Sequence, residues 1–123
     1  TRGKVNIKNN HFISTTMSGV LLSDDAKSWY ESGPCRDVTI ENNNFDYCGA
    51  DVILIKPENA KYKCAVHKNI RIKSNCFKKY NGHAVSAKNA DSILIKENQY
   101  ANGFMKMKNC NHVTADHNVK RNF

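Results

Sequence analysis

The chain of 123 residues is one domain's length, or part of a larger one, and 40% apolar residues suffice for a core while a mean hydropathy of −0.64 keeps the surface polar. No apolar run reaches the ~18 residues of a membrane-crossing helix, so no span is predicted. Nineteen Lys and Arg against eleven Asp and Glu give a formal charge of +8, but the lysines are scattered and no helix-turn-helix, zinc-finger or RNP pattern accompanies them, so nucleic acid is not the expected partner.

The chain opens "TRGKVNIKNNHF", directly in a strand pattern, with no initiator Met and no charged-then-apolar leader. No signal peptide is visible, and the opening reads as a domain boundary. "VNIKNNHF" from Val5 returns as "VTIENNNF" from Val38, "IRIKSNCF" from Ile70 and "ILIKENQY" from Ile93, and in decayed form as "VTADHNV" from Val113. Apolar residues hold the first and third places and Asn the sixth. Four copies place an aromatic residue eighth. A second series lies between: "GVLLS" from Gly19, "VILIK" from Val52, "AVSAK" from Ala84 and "FMKMK" from Phe104.

The periods are 33, 32, 23 and 20 residues, with at least two short strands per copy and no helical periodicity. That combination predicts an all-β fold, a right-handed parallel β-helix: a single-stranded solenoid of about five coils spanning residues 1–123 as one domain. Stacked coils lie ~4.8 Å apart, so equivalent residues form columns. Val and Ile columns bury apolar surface. Asn10, Asn43, Asn75, Asn98 and Asn118 form an inward column whose amides bond to those above and below, and Asn is expected to take the left-handed backbone of the corner. Phe12, Phe45, Phe77 and Tyr100 should stack in a column of their own. With no evident caps, the chain reads as a segment of a longer solenoid, or one whose uncapped ends are covered by another chain in an oligomer.

Coil length is uneven. After the second strand the early coils carry long loops, 24–37 and 57–69, where the later ones have only "NADS" and "NCNH". Insertions in a solenoid gather on one face, often the binding face, so the two loops should wall one cleft. The 33-residue offset sets Ser23 beside Lys56, Asp24 beside Pro57 and Asp25 beside Glu58. Asp25 and Glu58 would then stand on neighbouring rungs with Cα atoms about 5 Å apart. Their carboxyls would lie either at the ~6.5–9.5 Å of an inverting glycosidase or near the ~5 Å of a retaining one. Like charges this close raise one pKa, giving one acid and one base. Turn capping, ion pairs of Glu58 with Lys56 or Lys61, and Ca²⁺ held by the three carboxylates are the competing roles. Trp29 and Tyr30, beside Glu31, serve either as a loop anchor or as a stacking platform for a sugar.

Cys35, Cys48, Cys64, Cys76 and Cys110 contain no CxxC pair, so zinc is not expected, and an odd count leaves at least one thiol free. His11, His67, His83, His112 and His117 show neither metal spacing nor a nucleophile partner.

"RGKVNIKNNHF", "SGVLLSDDAKSWYESGPCRDVTIENNNF" and "VILIKPEN" resemble glycoside hydrolase family 110, the bacterial α-1,3-galactosidases. The resemblance is dense over residues 2–59 and generic beyond. It implies inverting, metal- and cofactor-free hydrolysis of terminal α-1,3-linked galactose, with a galactose-terminated glycan as partner and a periplasmic or secreted bacterial location. It assigns Asp24, Asp25 and Glu58 as the catalytic carboxylates, with Glu58 as acid and Asp25, helped by Asp24, as base. Trp29, Tyr30, Glu31, Lys56 and Asn59 become substrate-binding residues. Family members are several hundred residues long, and Cys35 stands where an aliphatic residue is expected, so the fragment alone need not be active. Two other functions compete: a polysaccharide lyase or hydrolase gripping an acidic glycan through Lys27, Lys56, Lys61 and Lys63, and a non-catalytic carbohydrate-binding β-helix.

Overall fold

A computed structural model of the chain describes residues 4–23, 35–56 and 67–123. All regular structure among them is β. The first repeat supplies β1 (Val5–Lys8), β2 (His11–Phe12) and β3 (Val20–Leu22); the second β4 (Arg36–Glu41), β5 (Asn44–Phe45) and β6 (Ile53–Ile55). The third supplies β7 (His67–Lys73), β8 (Cys76–Phe77) and β9 (Val85–Lys88); the fourth β10 (Ala90–Lys96), β11 (Gln99–Tyr100) and β12 (Met105–Lys108). β13 (Asn111–Asp116) and β14 (Val119–Lys120) complete the order.

Every pairing is parallel and joins equivalent strands of successive repeats. The sheets run β1-β4-β7-β10-β13, β2-β5-β8-β11-β14 and β3-β6-β9-β12. Val5 pairs with Val38, Val38 with Ile70, Ile70 with Ile93 and Ile93 with Val113, so the uneven periods of the sequence are the register of the first sheet. The arrangement is consistent with a parallel β-helix. The two-residue strand bearing the aromatic residue is a third strand per repeat; the sequence reading resolved only two series.

Alternation decides which residues turn inward. Val38, Ile40, Ile53, Ile55, Ile70, Ile72, Ile93 and Ile95 are buried, while their neighbours along each strand face out. Burying each such side chain is worth roughly 1.5–3 kcal/mol. Phe12 stacks on Phe45 and Phe45 on Phe77, with ring centroids 4.6 and 5.3 Å apart. Gly19 makes room for this column, because a Cβ there would meet the Phe45 ring at 2.8 Å. Tyr100 keeps the register, paired with Phe77, but its ring finds another partner. It stacks on Phe104 of its own repeat at 4.2 Å, where earlier repeats offer only Gly19, Val52 or Ala84.

The Asn ladder forms as a continuous chain. Nδ2 of Asn10, Asn43, Asn75 and Asn98 each donates to Oδ1 of the next Asn, at 3.1, 3.0, 3.1 and 2.9 Å. The backbone N–H of the same four residues donates to the same oxygens. The second amide hydrogen of Asn43, Asn75, Asn98 and Asn118 goes to the carbonyl of Ile7, Ile40, Ile72 and Ile95. The buried amides of Asn43, Asn75 and Asn98 therefore spend their donors inside the fold, as burial requires. The left-handed corner residue, however, is not the ladder Asn. It is the residue before it: Asn9, Asn42, Ser74, Glu97 and His117, with φ between 54° and 58°. The ladder amide must point inward, so the preceding residue takes the turn.

Candidate active site

β3 and β6 pair in register, Leu22 with Ile55, and the Lys56 N–H donates to the Leu22 carbonyl at 2.9 Å. Ser23 and Lys56 thus leave the third sheet from neighbouring rungs, at the 33-residue offset of the sequence. Lys56 is exposed at this rim. The other expected site residues, Asp24, Asp25, Trp29, Tyr30 and Glu31 in one segment and Glu58 and Asn59 in the other, lie outside the described residues.

Both segments also return side by side. The Lys68 N–H donates to the Cys35 carbonyl at 3.0 Å, and Arg36 pairs with Lys68. The first-sheet strands begin earlier than the expected loop ends at 37 and 69: β4 starts at Arg36 and β7 at His67. Asp37 and Asn69 adopt left-handed backbone inside those strands, and the Asn69 amide donates to the Asp37 carboxylate. One coil further on, the same corner is turned by Asn89 alone, between Lys88 and Ala90. The described strands that flank residues 24–34 and 57–66 are thus paired with one another on both sides, β3 with β6 before them and β4 with β7 after them.

His67 marks the return point. It is fully buried at the start of β7, opposite Ala90, and its Nδ1 accepts the Cys35 N–H at 2.9 Å. That nitrogen is unprotonated, which places the ring proton on Nε2. Cys35, at the position where an aliphatic residue was expected, packs partly buried against the core. Cys35, Cys48, Cys76 and Cys110 are free thiols. Burial pushes the Cys76 thiol above its ordinary value, which keeps it a weak nucleophile.

Sequence reasoning missed His67 as a corner residue, although its offset of 32 from Cys35 matches the neighbouring period. It also left unextended the column that starts at Ser23 and Lys56. Adding 32 and then 20 residues reaches Lys88 and Lys108, which pair directly. Among the described residues no group of three or more His, Cys, Asp or Glu side chains is placed to hold a metal. Outside the corner, two half-buried carboxylates are perturbed. The hydrogen bond from His11 at 2.6 Å, with the charges of His11 and Lys78, holds Asp46 below its ordinary range. The bond from His112 at 2.7 Å does the same for Asp91.

No protein-family profile matches the sequence. Curated relatives are nevertheless clear. The chain is 43% identical, over 96% of its length, to "Alpha-1,3-galactosidase A" of Bacteroides thetaiotaomicron. It is 38% identical over 80% of its length to the protein of that name from Peterkaempfera griseoplana. It is also 38% identical over 80% of its length to "Alpha-1,3-galactosidase B" of Bacteroides thetaiotaomicron. The chain spans only 23%, 14% and 17% of these relatives. It is thus similar, through most of its own length, to one segment of proteins named α-1,3-galactosidase.

Proposed function

We propose that the chain is the catalytic segment of an inverting exo-α-1,3-galactosidase built on a right-handed parallel β-helix. Glu58 protonates the oxygen of the leaving sugar. Asp25, supported by Asp24, takes a proton from the water that attacks the anomeric carbon from the opposite face. Trp29 and Tyr30 stack on the terminal galactose, and Glu31, Lys56 and Asn59 bond its hydroxyls. The protein works on galactose-terminated glycans in the periplasm or outside a bacterial cell.

The observation that carries this reading is the pairing of Leu22 with Ile55. It starts the two inserted segments on adjacent rungs, so that Asp25 and Glu58, each three residues beyond the pair, begin from equivalent points. A glycosidase needs two carboxylates in different environments around one glycosidic bond. The in-register start of the two long loops supports a shared pocket for the two acids, and the names of the relatives support the substrate class.

The full-length protein carrying this segment is expected to release galactose from an α-1,3-galactosyl disaccharide. Glu58→Gln and Asp25→Asn should each lower kcat by at least about 10²-fold, the scale of a lost general acid or base. Wild-type rates in both variants would refute the assignment. An unsaturated product from an acidic glycan would instead identify a lyase.

A further inference from the structure

The outward face of the third sheet carries charge of one sign. In β9, Val85 and Ala87 are buried while Ser86 and Lys88 face out; in β12, Lys106 and Lys108 face out. Lys88 pairs with Lys108 and Ser86 with Lys106. Lys56 stands one coil before Lys88, because Ile55 pairs with Ala87. Among the described residues this face holds no acidic side chain. In the first sheet cations are interspersed with acids: Lys8 lies 3.5 Å from Glu41, and the like-charged pair Lys73–Lys96 is flanked in register by Glu41 and Asp116. Beside the second sheet Lys78 lies 3.6 Å from Asp46. Stacking like charges at the ~4.8 Å coil spacing costs stability unless an anion neutralises them.

The column also has a direction. It starts at Lys56, where the second inserted segment leaves the sheet, and runs away from the candidate site through Lys88 to Lys108. We propose that this lysine face is a subsite for an oxyanion, a sulfate or carboxylate, borne by the sugars that follow the terminal galactose of the same glycan. The proposal rests on the galactosidase reading and adds its substrate class: anionic glycans. The face has neither aromatic side chains to stack bases nor arginines to fork phosphates, which favours a glycan over a nucleic acid.

The test uses the full-length protein and an α-1,3-galactosyl-terminated oligosaccharide, either sulfated on the following sugars or desulfated. The wild type should turn over the sulfated form with a kcat/KM roughly fivefold or more higher at low salt, carried by KM and erased by high salt. Lys88→Gln, Lys106→Gln and Lys108→Gln together should abolish that advantage and leave the desulfated substrate unchanged. Equal handling by the wild type, or an advantage that survives in the triple variant, overturns the proposal. If neither substrate is cleaved, the galactosidase reading fails, and electrophoretic retardation in a sulfated galactan gel decides the subsite by itself. Retardation lost in the triple variant supports it. No retardation, or equal retardation by duplex DNA, overturns it.

Discussion

The side chain that most clearly ties sequence to fold is the ladder asparagine. Asn75 accepts from both the N–H and the amide of Asn43, donates its own amide to the Ile40 carbonyl and the Asn98 oxygen, and is buried. Asn75→Ala strands several buried partners at once, each worth about 1–3 kcal/mol when unmet. It should therefore destabilise the protein by about 3 kcal/mol or more. Asn10 sits at the exposed first rung and donates into the ladder without accepting from it. Asn10→Ala should cost about 1 kcal/mol or less. Urea midpoints of the two variants give the comparison, and equal losses would show that the ladder is not the corner's main support.

Between elements, the His67 imidazole ties the start of β7 to Cys35, the residue before β4. His67→Ala removes the acceptor for the Cys35 N–H and leaves a hole beside Ala90. The expected loss is about 2–4 kcal/mol. Amide exchange should rise first in β4 and β7, whose starts the imidazole joins, and uniform loss of protection would contradict that role. The His–Asp links also join elements: His11 of β2 reaches Asp46 after β5, and His112 of β13 reaches Asp91 of β10. Both carboxylates titrate below their ordinary value of 3.8. A depressed carboxylate contributes stability above its unfolded pKa and loses it as pH falls through the folded one. These links should therefore hold at neutral pH and fail only below about pH 4. Asp46→Asn and Asp91→Asn should flatten the acid limb of a stability–pH curve, by an amount that salt reduces because both pairs are exposed. A limb unchanged by both substitutions would remove the links from the account.

For the molecule as a whole, much of the fold was readable because the coil writes itself into the chain as columns. Val5, Val38, Ile70, Ile93 and Val113 align in the sequence and are paired in space. The failures have local causes. The left-handed residue was misplaced by one because Asn42 and Asn43 are alike in type and only tertiary direction separates them. The aromatic strand was overlooked because two residues carry no alternation to count. The Tyr100 ring stacks on Phe104, four residues on, while its backbone keeps the register with Phe77. At the candidate site the offset of 33 set Ser23 against Lys56, as the β3–β6 register has it, but charge on the sheet face emerged only when Lys56, Lys88 and Lys108 fell into one column. The roles proposed for Asp25 and Glu58 depend on side-chain directions, which no periodicity encodes.

The proposed mechanism needs two acids from adjacent coils acting on opposite faces of one sugar. The most direct measurement is proton NMR of an α-1,3-galactosyl disaccharide during the first minutes of hydrolysis by the full-length protein. β-Galactose appearing first, with the α anomer growing in only by mutarotation, is the predicted result. α-Galactose appearing first, or no free galactose at all, would contradict it.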